Sequence, residues 1–306
     1  MAEWLFEHGI GEARAALVAD GRIVRARIAL DDRSPKLGAV YTAQLVEPGE
    51  VRLSDGGVAT LMRAPAALTL GARFNVEVVR EALPEPGRLK PPRVVVTDQI
   101  PQPAPSLRDT LDGPVRSLRA HEPDALEAAG WSEVLEEALT GDISFPGGAL
   151  RMTPTPAMTL FDVDGDGPLD ALAERAAAAV ALAIVRHDVG GSIGVDFPTI
   201  MGKEARHRVA AAIDAGLPQP FERTAMNGFG FLQIVRPRPR ASLPELLRAD
   251  PIAAAARATL RQIERTPPGA PNNHRLPPAI SARIGSRDDW LNELARRTGR
   301  KPILEQ

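Results

Sequence analysis

The stretch from Ala39 to Asp98 never sustains a helical period. It is a series of short β-branched runs, AVYTAQLVEP, EVRLS, GVATLMRA, RFNVEVVRE and PRVVVTD, with Gly and Pro between them at regular intervals. Short strands at that spacing, with no helix to cover them, lead us to expect a small β-barrel of the OB type over residues 36–97. Upstream, RAALV and RIVRARIAL flank the turn ADG and read as a hairpin. Downstream, IPQPAPSLRDTLDGP is proline-rich and reads as a linker.

A different pattern follows the linker. PDALEAAGWSEVLEEAL, from Pro123 to Leu139, places apolar residues at helical spacing, and ALRMTPT and AMTLFDV read as two strands. Leu169 to Arg186 is a long helix with Asp170 and Glu174 near its positive end. GGSIGVDF is a compact strand, Lys203 to Ala215 a second helix and FGFLQIVRPR a further strand, in which Phe231 is expected in the core. Strand, helix, strand, helix, strand is an open α/β pattern, in which sites collect at the carboxyl ends of the strands. Residues 241–306 are expected to be helical over Leu243 to Arg265 and Asp288 to Thr298, around the turn-rich TPPGAPNNHRLPP. From Arg236 onward, 14 Arg and Lys stand against 7 Asp and Glu, so this end is basic although the chain as a whole carries −2.

Composition excludes some chemistry. Without a cysteine the chain has no disulfide, no zinc–thiolate site and no thiol nucleophile. Its longest apolar run, RAAAAVALAIVRHD, is too short and too alanine-rich to span a bilayer. The N-terminus carries charge from Glu3 onward and lacks the layout of a signal peptide. The expectation is a soluble, cytoplasmic protein.

The most specific chemistry lies in MTLFDVDGDG, where Asp162, Asp164 and Asp166 alternate ahead of Gly167. This spacing begins like an EF-hand calcium loop, but the twelfth position is Ala173 rather than a bidentate Glu, and the preceding MTLF reads as a strand. On a strand, alternation sends Phe161 and Val163 to one face and Asp162 and Asp164 to the other. SIGVDF also ends an apolar run on an acid, Asp196. If the two strands are neighbours, Asp162, Asp164 and Asp196 converge, and hard carboxylate oxygens without His or Cys suit Mg²⁺ or Mn²⁺. The bland alternative is a set of strand-end aspartates capping the helices that follow, with Asp166 in the turn.

GGALRMTPTPAMTLFDVDGDG, then RAAAAVALAIVRHDVGGSIGVDF, then NGFGFLQIVRPRPR resemble, in order and spacing, segments of the ribonuclease E/G family of bacterial endoribonucleases. The resemblance runs from about Gly147 to Arg240 and is weaker over the barrel. It implies an α+β fold: ribonuclease H-like and DNase I-like parts forming an open α/β catalytic domain, with an OB-type RNA-binding barrel inserted. On that basis residues 1–35 and 98–145 form the ribonuclease H-like part, 146–240 the metal-binding catalytic part and 241–306 a basic helical region. The family's metal-binding acids fall on Asp162 and Asp196, and its asparagine two residues after the first acid is replaced by Asp164. The cysteines with which the family links subunits through zinc are absent, and so is the length that would sense an RNA 5′ end. The resemblance therefore implies a Mg²⁺- or Mn²⁺-dependent endoribonuclease acting on single-stranded RNA, a homodimer without a zinc link.

Single-stranded RNA is held by basic grooves and aromatic stacking platforms. The candidates are Tyr41, Phe74 and Lys90 in the barrel, with Lys203, Phe229, Arg236 and Arg238 in the catalytic part. Arg186, His187 and Arg206 could also contact phosphates, but each is better described as a solvated surface group, whereas Tyr41 and Phe74 are equally well described as barrel core. Two other readings stand beside the nuclease: a catalytically weakened RNA-binding protein of the same fold, and a divalent-ion module unrelated to RNA.

Overall fold

The structure is a computed structural model, and it describes residues 2–65, 68–85, 87–267 and 269–305. Strands β1 (Glu3–His8), β2 (Glu12–Ala19) and β3 (Arg22–Leu30) form an antiparallel meander. The β2–β3 turn rests on Asp20 and Gly21, both at positive φ, as a two-residue hairpin requires. Next come β4 (Val40–Glu47), β5 (Glu50–Leu53), β6 (Val58–Leu61) and β7 (Arg73–Arg80), a short ribbon of β8 (Leu83–Glu85) with β9 (Arg88–Lys90), and β10 (Arg93–Val96). Strands β10, β6, β5, β4 and β7 close in that order into the expected five-stranded barrel. Its interior holds Ala43, Leu45, Val51, Leu61, Val76 and Val94, each from the inward half of a strand's alternation.

Strand β11 (Val115–Ser117) then runs parallel to β1. The helix expected from Pro123 to Leu139 is two, α1 (Ala125–Ala128) and α2 (Trp131–Thr140), separated at Gly130, whose φ of +96° no helix accepts. A second sheet follows from β12 (Asp142–Phe145), β13 (Gly148–Pro154), β14 (Thr159–Gly165), β15 (Gly191–Asp196), β16 (Glu222–Arg223) and β17 (Phe231–Arg236). Helix α3 (Leu169–Arg186) lies between β14 and β15 in the chain, and α4 (Lys203–Gly216) follows β15. The sheet order is β12-β13-β14-β15-β17-β16, and only β14–β15 is parallel, with α3 as the crossover such a pair needs.

The open α/β expectation is thereby corrected to a mostly antiparallel sheet with helices on one face. Hairpin reversals at β12–β13, β13–β14 and β16–β17 leave no further crossover to carry a helix to the other side. Leu150, Met152, Phe161, Val163, Ile193, Val195, Leu232 and Ile234 bury that face against α3 and α4. Helix α3 packs closely because its buried face is largely alanine. Gly216 of α4 sits so near that a Cβ there would lie 2.8 Å from the Ala181 methyl. The sheet begins at Asp142, where β12 pairs with β13.

Beyond the sheet the expected Leu243–Arg265 helix is again two, α5 (Leu243–Ala249) and α6 (Pro251–Glu264). Asp250 caps α6 by accepting from the Ala253 amide at 2.9 Å, and Pro251 occupies the first helical position. Strand β18 (Asn273–Arg275), helix α7 (Pro278–Gly285), helix α8 (Asp288–Thr298) and strand β19 (Ile303–Glu305) complete the chain.

Met1–Asp32, Leu107–Glu133 and Leu247–Gln306 form one compact unit, and Arg33–Ser106 with Val134–Leu246 another. In the first, α6 presents Arg257 and Arg261, and its C-cap Arg265 follows four residues on, all facing acids of the β1–β2 hairpin. Arg257 Nε lies 2.7 Å from Glu12 Oε2, Arg261 also pairs with Glu12, and Arg265 pairs with Glu7. Arg14 Nε completes the set 2.6 Å from Glu7 Oε2. Part of the C-terminal basic excess is therefore buried inside a unit that includes the N-terminal strands, rather than displayed on a region of its own.

Candidate active site

The carboxyl ends of β14 and β15 carry the acids that the sequence singled out. Along β14, Phe161 and Val163 are buried while Asp162 and Asp164 are exposed, and β15 ends on an exposed Asp196 after a buried Val195. The two strands are neighbours, and Asp162 and Asp196 are direct register partners. Two carboxylates so placed repel each other unless a cation lies between them. Asp164 shares their face but pairs with Ala149, two residues beyond the last register partner of β15. The expected three-acid convergence is thus a pair with an outlier: among the described residues no group of three or more His, Cys, Asp or Glu side chains gathers as a metal cage. Asp166 donates its amide to the Gly147 carbonyl at 3.3 Å and belongs to the turn, as expected.

Glycines hold this end of the sheet together. A Cβ on Gly165 would lie 2.5 Å from the Gly147 carbonyl oxygen, and one on Gly148 would lie 2.6 Å from that of Asp164. The backbones beside Asp164 approach closely only because both positions lack side chains.

The register adds two residues that sequence reading missed. Arg151 stands opposite Asp162 across β13–β14, and Phe231 stands opposite Asp196 across β15–β17. Phe231 was expected in the core, but Leu232 and Ile234 fill that side, and the Phe231 ring lies over Gly194, where a Cβ would come within 2.7 Å of it. Five consecutive apolar or amide residues, FLQIV, conceal the alternation until the strand is paired. Arg151 was legible as the outward residue between Leu150 and Met152. Its guanidinium is 3.0 Å from Asp142 Oδ1, both side chains being well exposed.

Phe229 is 84% exposed, on the turn leading into β17. Asn227 Oδ1 fixes that turn by accepting from the Phe229 and Phe231 amides at 2.9 and 3.0 Å. Thr199 Oγ1 donates to the Phe229 carbonyl at 3.2 Å, tying the turn to the loop after Asp196. Met201, 85% exposed, is on that same loop, and Lys203 follows at the exposed start of α4.

The remaining candidates lie elsewhere or are engaged. Arg236 pairs in register with Gly191, five residues along the strands from the Phe231–Asp196 pair, about 17 Å at strand rise. Its Nη1 donates to the Val189 carbonyl at 3.1 Å. Arg238 pairs with Glu245, which also accepts from the Ser242 amide and hydroxyl at the start of α5. Burial, with Arg93 and Arg238 nearby, brings the Arg80 guanidinium down to about 10. Lys90 pairs with Glu85 in the ribbon. Tyr41 and Phe74 point inward and pack against the barrel core, and burial, with Asp55 adding to it, raises the Tyr41 hydroxyl above its ordinary value.

Arg186 and His187 are structural. Arg186 Nη1 lies 3.0 Å from both carboxylate oxygens of Glu137, and the wholly buried His187 places Nε2 3.0 Å from one of them. Burial pushes the Glu137 carboxyl up, but the hydrogen bonds from His187 and Arg186 outweigh it and leave the carboxyl below its usual range.

No protein-family model matches this chain, and no curated protein matches it. No helix among the described residues is long and apolar enough to cross a membrane.

Proposed function

We propose that the protein is a metal-dependent endoribonuclease that hydrolyses single-stranded RNA, with Asp162 and Asp196 at its centre. One observation carries the reading: two acids more than thirty residues apart are register partners at exposed strand ends, on the sheet face without helices. These are the residues on which the resemblance to the ribonuclease E/G family lays its metal-binding acids. The closed barrel supports the reading, since the resemblance implies an inserted OB-type barrel.

The donor set fits Mg²⁺ or Mn²⁺, since these ions are commonly held by one or two carboxylates and complete their shell with water and phosphate oxygens. Asp162 and Asp196 would hold the ion, which when bound supplies Lewis acidity and a water acidic enough to attack at neutral pH. Asp164, on the same face, offers a carboxylate oxygen to orient the attacking water. In the hydrolysis the water oxygen bonds to phosphorus, one ester P–O bond breaks, and the proton ends on the released ribose hydroxyl. Phe229 and Phe231 offer ring faces to bases beside the scissile phosphate. The open face admits a flexible single strand, whose phosphate can settle between the two acids.

The two-acid donor set also favours a second reading, an RNA-binding protein on this fold whose metal binding is too weak for turnover. Incubating a fluorescent single-stranded RNA with the protein, with and without Mg²⁺ or Mn²⁺, separates them. Metal-dependent cleavage that disappears in Asp162→Asn and Asp196→Asn supports the nuclease; binding without cleavage under either metal leaves the second reading.

A further inference from the structure

The open face of the sheet carries one row of side chains running across the strands through the acid pair. In register order it reads Asp142, Arg151, Asp162, Asp196 and Phe231. Arg151 is the one cation among the described strand residues whose side chains belong to this face; Arg223, on β16, pairs with the inward Ile234. The rows on either side offer a polyanion much less. One holds Thr153, Leu160, Gly194 and Gln233, and the other Ser144, Ala149 and the further acid Asp164. A phosphodiester chain laid along the strands would meet Asp164 at one end of the acid pair and Leu160 at the other. Laid across the strands, it meets a guanidinium on one side and an aromatic ring on the other.

We infer that Arg151 holds the phosphate next to the scissile one, so that single-stranded RNA crosses the β-strands of this sheet rather than following them. The inference rests on the ribonuclease reading and gives its substrate a direction. Neighbouring strands lie about 4.8 Å apart, so a guanidinium based one strand from Asp162 reaches a phosphate adjacent to one seated between Asp162 and Asp196. The ion pair of Arg151 with Asp142 is solvent-exposed and of the kind worth little, so the guanidinium is released to a phosphate at small cost. Arginine suits the task because its planar donors match phosphate oxygens two at a time. Phe231, at the far end of the row, takes the base on the opposite side of the cut.

The test uses the whole chain, fluorescent single-stranded RNA, and a second RNA in which one phosphate beside the cleavage site is a neutral methylphosphonate. Binding is read by anisotropy with Ca²⁺ present, and cleavage with Mg²⁺. Arg151→Ala should weaken binding of unmodified RNA roughly tenfold, with Arg151→Lys between it and wild type. The neutral linkage should weaken wild-type binding by a similar factor and add nothing in Arg151→Ala. Asp142→Asn, which frees the guanidinium, should bind at least as tightly as wild type. The assignment is overturned if Arg151→Ala binds and cuts as wild type does, or if the neutral linkage costs it as much as it costs wild type. It is also overturned if Asp142→Asn loses as much as Arg151→Ala, since the ion pair would then be structural. Each of these results leaves the nuclease reading standing, whereas a wild type that neither binds nor cuts RNA ends both.

Discussion

Asp162 and Asp196 face each other directly across the only parallel strand pair of their sheet, both exposed and with Arg151 one strand away. Like charges in that relation oppose folding slightly. If the nuclease reading holds, Asp162→Asn or Asp196→Asn should lower RNA cleavage on the order of 100-fold or more, as loss of a principal electrostatic group at an active site does. Stability should not follow activity. Without divalent metal each variant should melt at or above the wild-type temperature, because a repulsion is removed. Mn²⁺ should raise the melting temperature of wild type in proportion to the logarithm of its concentration and leave the double variant unmoved. Thermal melts across a Mn²⁺ series read both effects; an equal rise in the double variant would place the metal elsewhere.

Gly230 fixes the turn that brings Phe231 opposite Asp196. Its φ is +98°, and a Cβ there would lie 2.2 Å from the Phe197 carbonyl oxygen, so only glycine fits both the conformation and the space. Gly230→Ala should destabilise the unit by about 1–3 kcal/mol, measured as a lower urea midpoint. If the nuclease reading holds, cleavage should fall further than folding does, because Asp196 and Phe229 flank the disturbed turn.

The acids were legible because alternation on a single strand assigns faces without tertiary information. Asp162 and Asp164 needed only Phe161 and Val163 beside them for that. Their partner was half legible: SIGVDF announced a strand ending on an acid, but register alone could show that Asp196 meets Asp162 and stops short of Asp164. Arg186 and His187 were misread because Glu137 is about fifty residues upstream, and a charge's partner at that separation leaves no trace in local pattern. Helix α7 is hidden in the local pattern because Pro277 and Pro278 close a turn-rich stretch, although proline at a helix cap and first turn is a start signal.

Glu12 holds two arginines of α6 in a buried site, so its removal leaves both charges without their carboxylate. Glu12→Gln should cost about 3–5 kcal/mol, the range for breaking a buried pair from one side. The loss should appear as an earlier urea transition in the unit that contains α6. A change below about 1 kcal/mol would mean that water already screens the pair, as it does at exposed sites.

Glu137 gives the fold a sign-definite response to acid. Burial opposes its ionisation, yet His187 and Arg186 hold its carboxyl below the ordinary value near 4.3. A group whose pKa is depressed by folding contributes stability that is complete above its unfolded pKa and is lost as pH falls through the folded one. Wild type and Glu137→Gln should therefore differ most in stability at neutral pH, wild type being the more stable. The gap should be unchanged down to about pH 5 and close progressively below pH 4. Urea titrations of the two proteins from pH 7 to pH 3 read the gap directly. A gap that widened with acid would mean that the neutral carboxyl is the form the His187 and Arg186 site prefers, reversing the balance between burial and hydrogen bonding assigned to it.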